Sequence, residues 1–292
     1  MSTKHVFDDA TGLVEKACLG VASTNPDLRF FAHHKVLYNA AHPRDKVAIL
    51  AGGGAGHEPA FSGLVGSGLV TVAVSGDVFA SPSSKQICSG VDLAPTDKGI
   101  VTIVLNYTGD CLNFGLASEK ARSAFHSEGK GRDIEMVIVG DDVSVGRSKG
   151  GLVGRRGLTG AAFTAKVLGA ASEKGDDVQK IAHLGRTMVK NFVTVGSSLD
   201  HCHVPGRSTD PKERGALSQS AVEIGMGIHN EPGAKHIENK PSAENLIKEM
   251  LELLLREDDP ERSFVKFNKD DDPVLIINNL GGMSTIELGA IA

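Results

Sequence analysis

The chain has 292 residues, enough for one large or two moderate domains, and a net charge of −5 with no long basic block. That balance argues against a nucleic-acid surface. No run of about 18 apolar residues occurs, so no membrane span is expected, and the N-terminus lacks the apolar core of a signal peptide. The cysteines Cys18, Cys88, Cys111 and Cys202 form no CxxC pair, which fits reduced thiols in a cytoplasmic protein.

Residues 9 to 22 place Leu13, Val14, Ala17 and Val21 at helical spacing and predict an amphipathic helix. Thr24 to Pro43 reads as a loop with a short strand. The first clear strand, Val47 to Leu50, runs into five small residues, Gly52 to Gly56, and then His57, Glu58 and Pro59. Small residues let backbone amides approach a ligand closely. Pro59 suits a first helical turn, so a helix is expected to follow. One imidazole is thus presented at a strand end beside open backbone.

Three further apolar runs follow: Val70 to Val74, Ile100 to Leu105 and Ile134 to Val139. Continuous apolar runs fit strands buried on both faces, and the helical segments between them predict a largely parallel α/β sheet. The runs lead into Ser75-Gly76-Asp77, Asn106-Tyr107-Thr108-Gly109-Asp110 and Gly140-Asp141-Asp142. Ligands of such sheets sit beyond the carboxyl ends of the strands, so these loops and His57 are expected to converge. Asp110 is also placed to cap a helix starting near Cys111, and Asp141 and Asp142 read as turn or cap residues.

Gly146 to Gly160 is rich in glycine and arginine. Helices are predicted over Ala161 to Lys174 and Asp177 to Phe192, with a domain boundary after them, giving domains 1–192 and 193–292. Residues 204 to 217 read as loop. Val222 to His229 alternates as a strand, with Glu223, Gly225, Gly227 and His229 on one face. Its two glycines mark close approach by a ligand or another chain. A helix over Ala243 to Arg256 starts at Ser242, and Val274 to Ile277 is the last predicted strand. Ser284 caps a helix that is still open at Ala292, so the second α/β domain is expected to be incomplete. His201-Cys202-His203 lacks a fourth ligand at metal-site spacing, so no metal is expected.

Taken together, GGGAGHEPAFSGLVGSG (Gly52 to Gly68), GDVFASPS (Gly76 to Ser83), NYTGDCLNFGLA (Asn106 to Ala117), VGDD (Val139 to Asp142), GRRGLTG (Gly154 to Gly160), EIGMGIHNEPG (Glu223 to Gly233) and NNLGG (Asn278 to Gly282) carry a family resemblance. The chain resembles the substrate-binding (K) module of dihydroxyacetone kinases, of the ATP-dependent animal and fungal type whose animal members also act as triokinase and FMN cyclase. The resemblance implies two α/β domains with the substrate between them. It implies that His229 forms a covalent hemiaminal with the carbonyl of dihydroxyacetone or glyceraldehyde. It implies that Gly54, Ala55, Gly56, His57 and Asp110 hold the substrate hydroxyls, with His57 as general base and Asp110 assisting. It implies a homodimer, and Mg-ATP held by a separate helical domain or subunit rather than by this chain. No GxxxxGK[ST] or GxGxxG occurs here to replace that domain.

Two departures stand out. Leu105 occupies a position where the family commonly has lysine, and the chain stops before the family's module does. The alternative reading is therefore a non-catalytic dihydroxyacetone-binding or regulatory protein. A nucleotide-binding oxidoreductase is disfavoured by the spacing of the glycine-rich loop.

Overall fold

The structure, a computed structural model, describes residues 3–129, 132–150 and 153–292. In chain order its elements are α1 (Leu13–Ser23), β1 (Leu28–Phe31), β2 (Val36–Asn39), β3 (Ala48–Ala55), β4 (Val72–Val78), α2 (Ser84–Leu93), β5 (Ile100–Leu105), α3 (Thr108–Glu128), β6 (Ile134–Val139), α4 (Arg147–Gly150), α5 (Gly160–Glu173), α6 (Val178–Val189), β7 (Ser197–Ser198), β8 (Val222–Ile224), β9 (Lys235–Ile237), α7 (Ala243–Leu255) and α8 (Thr285–Ile291). Among the described residues no helix is long and apolar enough to cross a membrane.

The chain forms two compact units. One comprises Thr11–Gly140 and Gly160–Val189. The other comprises the N-terminal segment through Ala10, Asp141–Thr159 and Lys190–Ala292. This division departs from a single cut between residues 192 and 193. The reason is that a sheet buried on both faces needs helices on both. The chain leaves the first unit after β6 and returns to it with α5 and α6, which cover the second face.

The first unit is built on a six-stranded sheet of order β1-β2-β4-β3-β5-β6. Strands β4, β3, β5 and β6 run parallel, so their carboxyl ends share one edge. The antiparallel pair β1 and β2 extends the β4 side, where the sequence suggested a loop with one short strand. Ala48, Leu50, Val72, Val74, Ile100 and Val104 pack under Ile87 and Val91 of α2 and Phe114, Ala117, Ala121 and Phe125 of α3. Strand alternation turns Ile49, Ala51, Val101 and Ile103 to the opposite face, under α5 and α6. The crossover from β3 leads to β4 on one side, and that from β5 leads to β6 on the other. The topological switch point therefore lies between the carboxyl ends of β3 and β5.

Local chemistry sets the element ends. Ser83 and Gln86 form a reciprocal capping box at the start of α2. The helix expected after His57 is reduced to a short 3-10 turn, Ser62–Leu64. Gly63, Gly66 and Gly68 in that stretch explain this, since each lowers helix propensity.

In the second unit β7, β8 and β9 form a small antiparallel sheet, with Val143, Val195 and Ile224 at the centre of its core. Leu246, Met250, Leu253 and Leu254 of α7 pack against that core. The Val222 to His229 strand stops at Ile224, because Gly225 turns to φ +82. Val274 to Ile277 is not a strand either. It pairs with no strand among the described residues, and Val274 and Leu275 are 73% and 70% exposed.

At Gly169 in α5 a Cβ would lie 2.5 Å from backbone atoms of Gly68 and Leu69. Alanine normally stabilises a helix by about 1 kcal/mol over glycine. Here backbone blocks the added methyl, so Gly169→Ala is predicted to lower stability by about 1–3 kcal/mol, read from the urea midpoint.

Candidate functional site

At the switch point of the first unit the sequence leaves the backbone bare. A Cβ at Gly52 would lie 2.4 Å from the Val74 carbonyl, and one at Gly54 would lie 2.8 Å from the Ala80 amide nitrogen. Only glycine lets β3 and the end of β4 approach this closely. Gly56, at φ +95, ends the strand, and its amide donates to Glu58 Oε2 at 3.0 Å. The His57 ring then stacks on Phe79, with centroids 5.0 Å apart and planes inclined by 16°. Phe79 is itself fixed by donation from its amide to the Ala55 carbonyl at 2.8 Å.

Asp110 lies in the first turn of α3, which starts at Thr108 rather than near Cys111, so it is not the cap residue. A carboxylate there is favoured by the helix dipole. Asp110 is 4% exposed, and both its oxygens lie 3.9 Å from where a Gly53 Cβ would stand; the Phe61 ring lies 3.6 Å from the same point. The Asp110 carboxylate and the Phe61 ring thus face the unsubstituted strand backbone at Gly53. Asn113 Nδ2 donates to the Pro82 carbonyl at 2.9 Å, tying α3 to the Ser81–Ser83 loop. The structure therefore gathers Gly54, Ala55, Gly56, His57 and Asp110 around the ends of β3 and β5. Leu105, the last residue of β5, is buried.

His229 belongs to the second unit. It sits in a tight turn closed by hydrogen bonds from the Gly227 amide to the Glu231 carbonyl (2.9 Å) and from the Asn230 amide to the Gly227 carbonyl (3.1 Å). Glu231 grips His229 twice: Oε2 accepts from the His229 amide, and Oε1 lies against ring Nδ1, both at 2.9 Å. Burial works against the Glu231 charge, yet hydrogen bonds from the His229 ring and from backbone amides hold its pKa down at about 2. A Cβ at Gly227 would lie 2.0 Å from Glu231 Oε2 and 2.5 Å from Arg156 Nη1, which accounts for glycine there.

Asp141 and Asp142 follow the end of β6 and belong to the second unit. Both are fully buried in the second unit. Asp141 accepts from the Leu158 amide (2.7 Å) and the Thr194 hydroxyl (2.6 Å). Asp142 pairs with Arg156 at 2.7 Å and accepts from the Ser144 hydroxyl at 2.6 Å. Arg156 Nη2 also donates to the Gly225 carbonyl at 2.6 Å, and Ser144 Oγ lies 3.1 Å from the same oxygen. Burial raises the Asp142 pKa, and the Arg156 charge opposes that rise. Neither this network nor the Glu231 contact is read from the sequence. The GRRG stretch and the Glu two residues after His229 were the available signals. Gly151 and Leu152 of the glycine- and arginine-rich stretch lie outside the described residues. No group of three or more His, Cys, Asp or Glu among the described residues is placed to hold a metal ion.

A largely parallel sheet covered by helices on both faces, with glycine-bare backbone at its switch point, defines the first unit as a doubly wound α/β fold. The family model described as the Dak1 domain matches residues 19–292, and the chain belongs to that family. It is 44% identical over 301 residues to the dihydroxyacetone kinase of Pichia angusta, covering 100% of this chain and 48% of that protein. The native crystal structure of the dihydroxyacetone kinase of C. freundii superposes with a TM-score of 0.82 at 33% identity, covering 99% of this chain and 50% of that one. A dihydroxyacetone kinase operon co-activator, DhaQ, superposes at 0.71 with 30% identity, covering 82% of this chain and 70% of that one. The chain spans about half the length of the curated relatives it matches.

Two predictions arise from the second unit. Arg156→Ala removes the countercharge of buried Asp142 and is predicted to cost about 3–5 kcal/mol of stability, read by chemical denaturation. The Glu231 carboxyl drops from 4.5 to about 2 on folding. A depressed folded pKa adds stability above the unfolded value, and this is lost as pH falls through the folded one. The stability difference between the parent chain and Glu231→Gln should therefore shrink as pH falls from about 4.5 to about 2.

Proposed function

We propose that this chain is the dihydroxyacetone-binding portion of a kinase that phosphorylates dihydroxyacetone or glyceraldehyde. The observation that carries this reading is the Asp110 carboxylate, buried in the first turn of α3 across from the bare backbone of Gly53. A carboxylate beside bare backbone amides suits the hydroxyls of a small polar ligand. Family membership and the names of the relatives support the substrate class.

In this reading a ring nitrogen of His229 adds to the substrate carbonyl, whose oxygen takes up a proton, giving a hemiaminal. Glycerol has no carbonyl and escapes capture, so the covalent step selects short ketones and aldehydes over related polyols. Capture also fixes the substrate, which converts phosphoryl transfer into reaction of a positioned hydroxyl. His57 takes the proton of that terminal hydroxyl, assisted by Asp110, with Gly54, Ala55 and Gly56 supplying backbone contacts. Mg-ATP is held by another domain or subunit, and this chain alone does not turn ATP over. Leu105 offers no donor to a substrate oxygen, so affinity is lower than with lysine there. A cytoplasmic homodimer belongs to the same reading.

The likeness to a co-activator favours a second reading, in which the chain captures the ketone as a regulatory signal without phosphorylating it.

Native mass spectrometry with dihydroxyacetone tests capture. A reversible adduct lost in His229→Ala is the expected result, and absence of any adduct in the parent chain overturns both readings. A coupled ATP assay then separates them. Turnover that appears only on adding an ATP-binding partner domain supports the kinase, and adduct formation without turnover under those conditions supports the regulator.

A further inference from the structure

The reactivity of an imidazole depends on which ring nitrogen carries the proton, because only the other has a lone pair to donate. At His229 the surroundings decide this. Glu231 Oε1 lies 2.9 Å from Nδ1. An ionised carboxylate only accepts hydrogen bonds, so Nδ1 must be the donor. The turn holding the two side chains is itself fixed. Asn230, between them, adopts φ 64, a conformation that asparagine tolerates better than most residues. Its side chain clamps the backbone of Cys202, accepting from the Cys202 amide at 2.8 Å and donating to the Cys202 carbonyl at 2.9 Å. Glu231 Oε2 is held in turn by the His229 amide. The bare Cα of Gly227 leaves the space that this carboxylate oxygen occupies.

We infer that Glu231 is a positioning residue that locks His229 in its Nδ1–H tautomer, so that the Nε2 lone pair attacks the carbonyl, and that its charge stabilises the cation formed by the attack. The inference rests on the function proposed above for the attack itself. The Nε2 lone pair forms a bond to the carbonyl carbon, and the π pair moves to oxygen. Protonation of that oxygen from solvent leaves an N-substituted imidazolium, whose Nδ1 proton faces Glu231. The adduct is held in this form against the carboxylate, with one proton taken up from solvent and none released. The bond from the imidazolium to the carboxylate joins two charges and is stronger than the bond from the neutral ring that it replaces, so the cationic adduct is favoured.

The test is nitrogen-15 NMR of the full 292-residue chain labelled at histidine, with the His229 ring assigned by its loss in His229→Ala. The expected spectrum shows His229 as the Nδ1–H tautomer. Glu231→Ala should shift it toward the Nε2–H tautomer. In Glu231→Gln the single amide oxygen accepts from the His229 amide and the NH2 turns to Nδ1, so the ring should shift toward the Nε2–H tautomer and the dihydroxyacetone adduct should weaken by about tenfold. An Nε2–H tautomer in the parent chain, or an unchanged tautomer in a folded Glu231→Ala chain, overturns the tautomer lock. Equal adduct stability in Glu231→Gln overturns the charge role. The tautomer is read without substrate, so a parent chain that shows the Nδ1–H form but no adduct supports the lock and rejects the function it was inferred to serve.

Discussion

The arrangement of the first unit depends on four strands pairing in parallel. Because β4, β3, β5 and β6 all point one way, every loop that follows a strand emerges at the same edge. Parallel pairing is stable here because both faces are covered, by α2 and α3 on one side and α5 and α6 on the other. The same constraint explains why the chain must return to this unit after Thr159. It also fixes where Asp110 stands, since α3 starts immediately beyond β5 and its first turn meets the end of β3.

The second unit relies on a different device, a buried ion pair. Asp142 and Arg156 satisfy one another, and with Ser144 they hold the Gly225 carbonyl where β8 ends. Buried pairs contribute little net stability, but losing one partner is costly, so such a pair locks a local geometry in place. The geometry locked here is the start of the glycine-bare stretch that leads to His229. Asn230 and Glu231 fix the turn beyond it.

Much of this was legible in the sequence. Apolar runs gave the parallel strands because burial on both faces leaves no alternation to misread. The small residues from Gly52 to Gly56 marked the close backbone approach. What failed did so for physical reasons. Alternation from Val222 to His229 predicted a longer strand, but a glycine at positive φ is free to turn out of it. Val274 to Ile277 has strand composition, yet a strand exists only with a partner. Asp142 is the turn residue the sequence suggested, accepting from the Ser144 amide, but the partners Thr194 and Arg156 of this pair are distant in sequence and the burial they share is a tertiary fact. Glu231 was visible two residues after His229, but its double grip depends on a turn that spacing alone does not specify.

Covalent capture of a ketone by His229, proposed above, can be read by carbon-13 NMR of dihydroxyacetone labelled at its carbonyl carbon, bound to the chain labelled with nitrogen-15 histidine. The bound carbon is expected to become tetrahedral and to show one-bond coupling to a His229 ring nitrogen. A bound carbon that remains a ketone, or a tetrahedral carbon with no coupling to nitrogen, would contradict it.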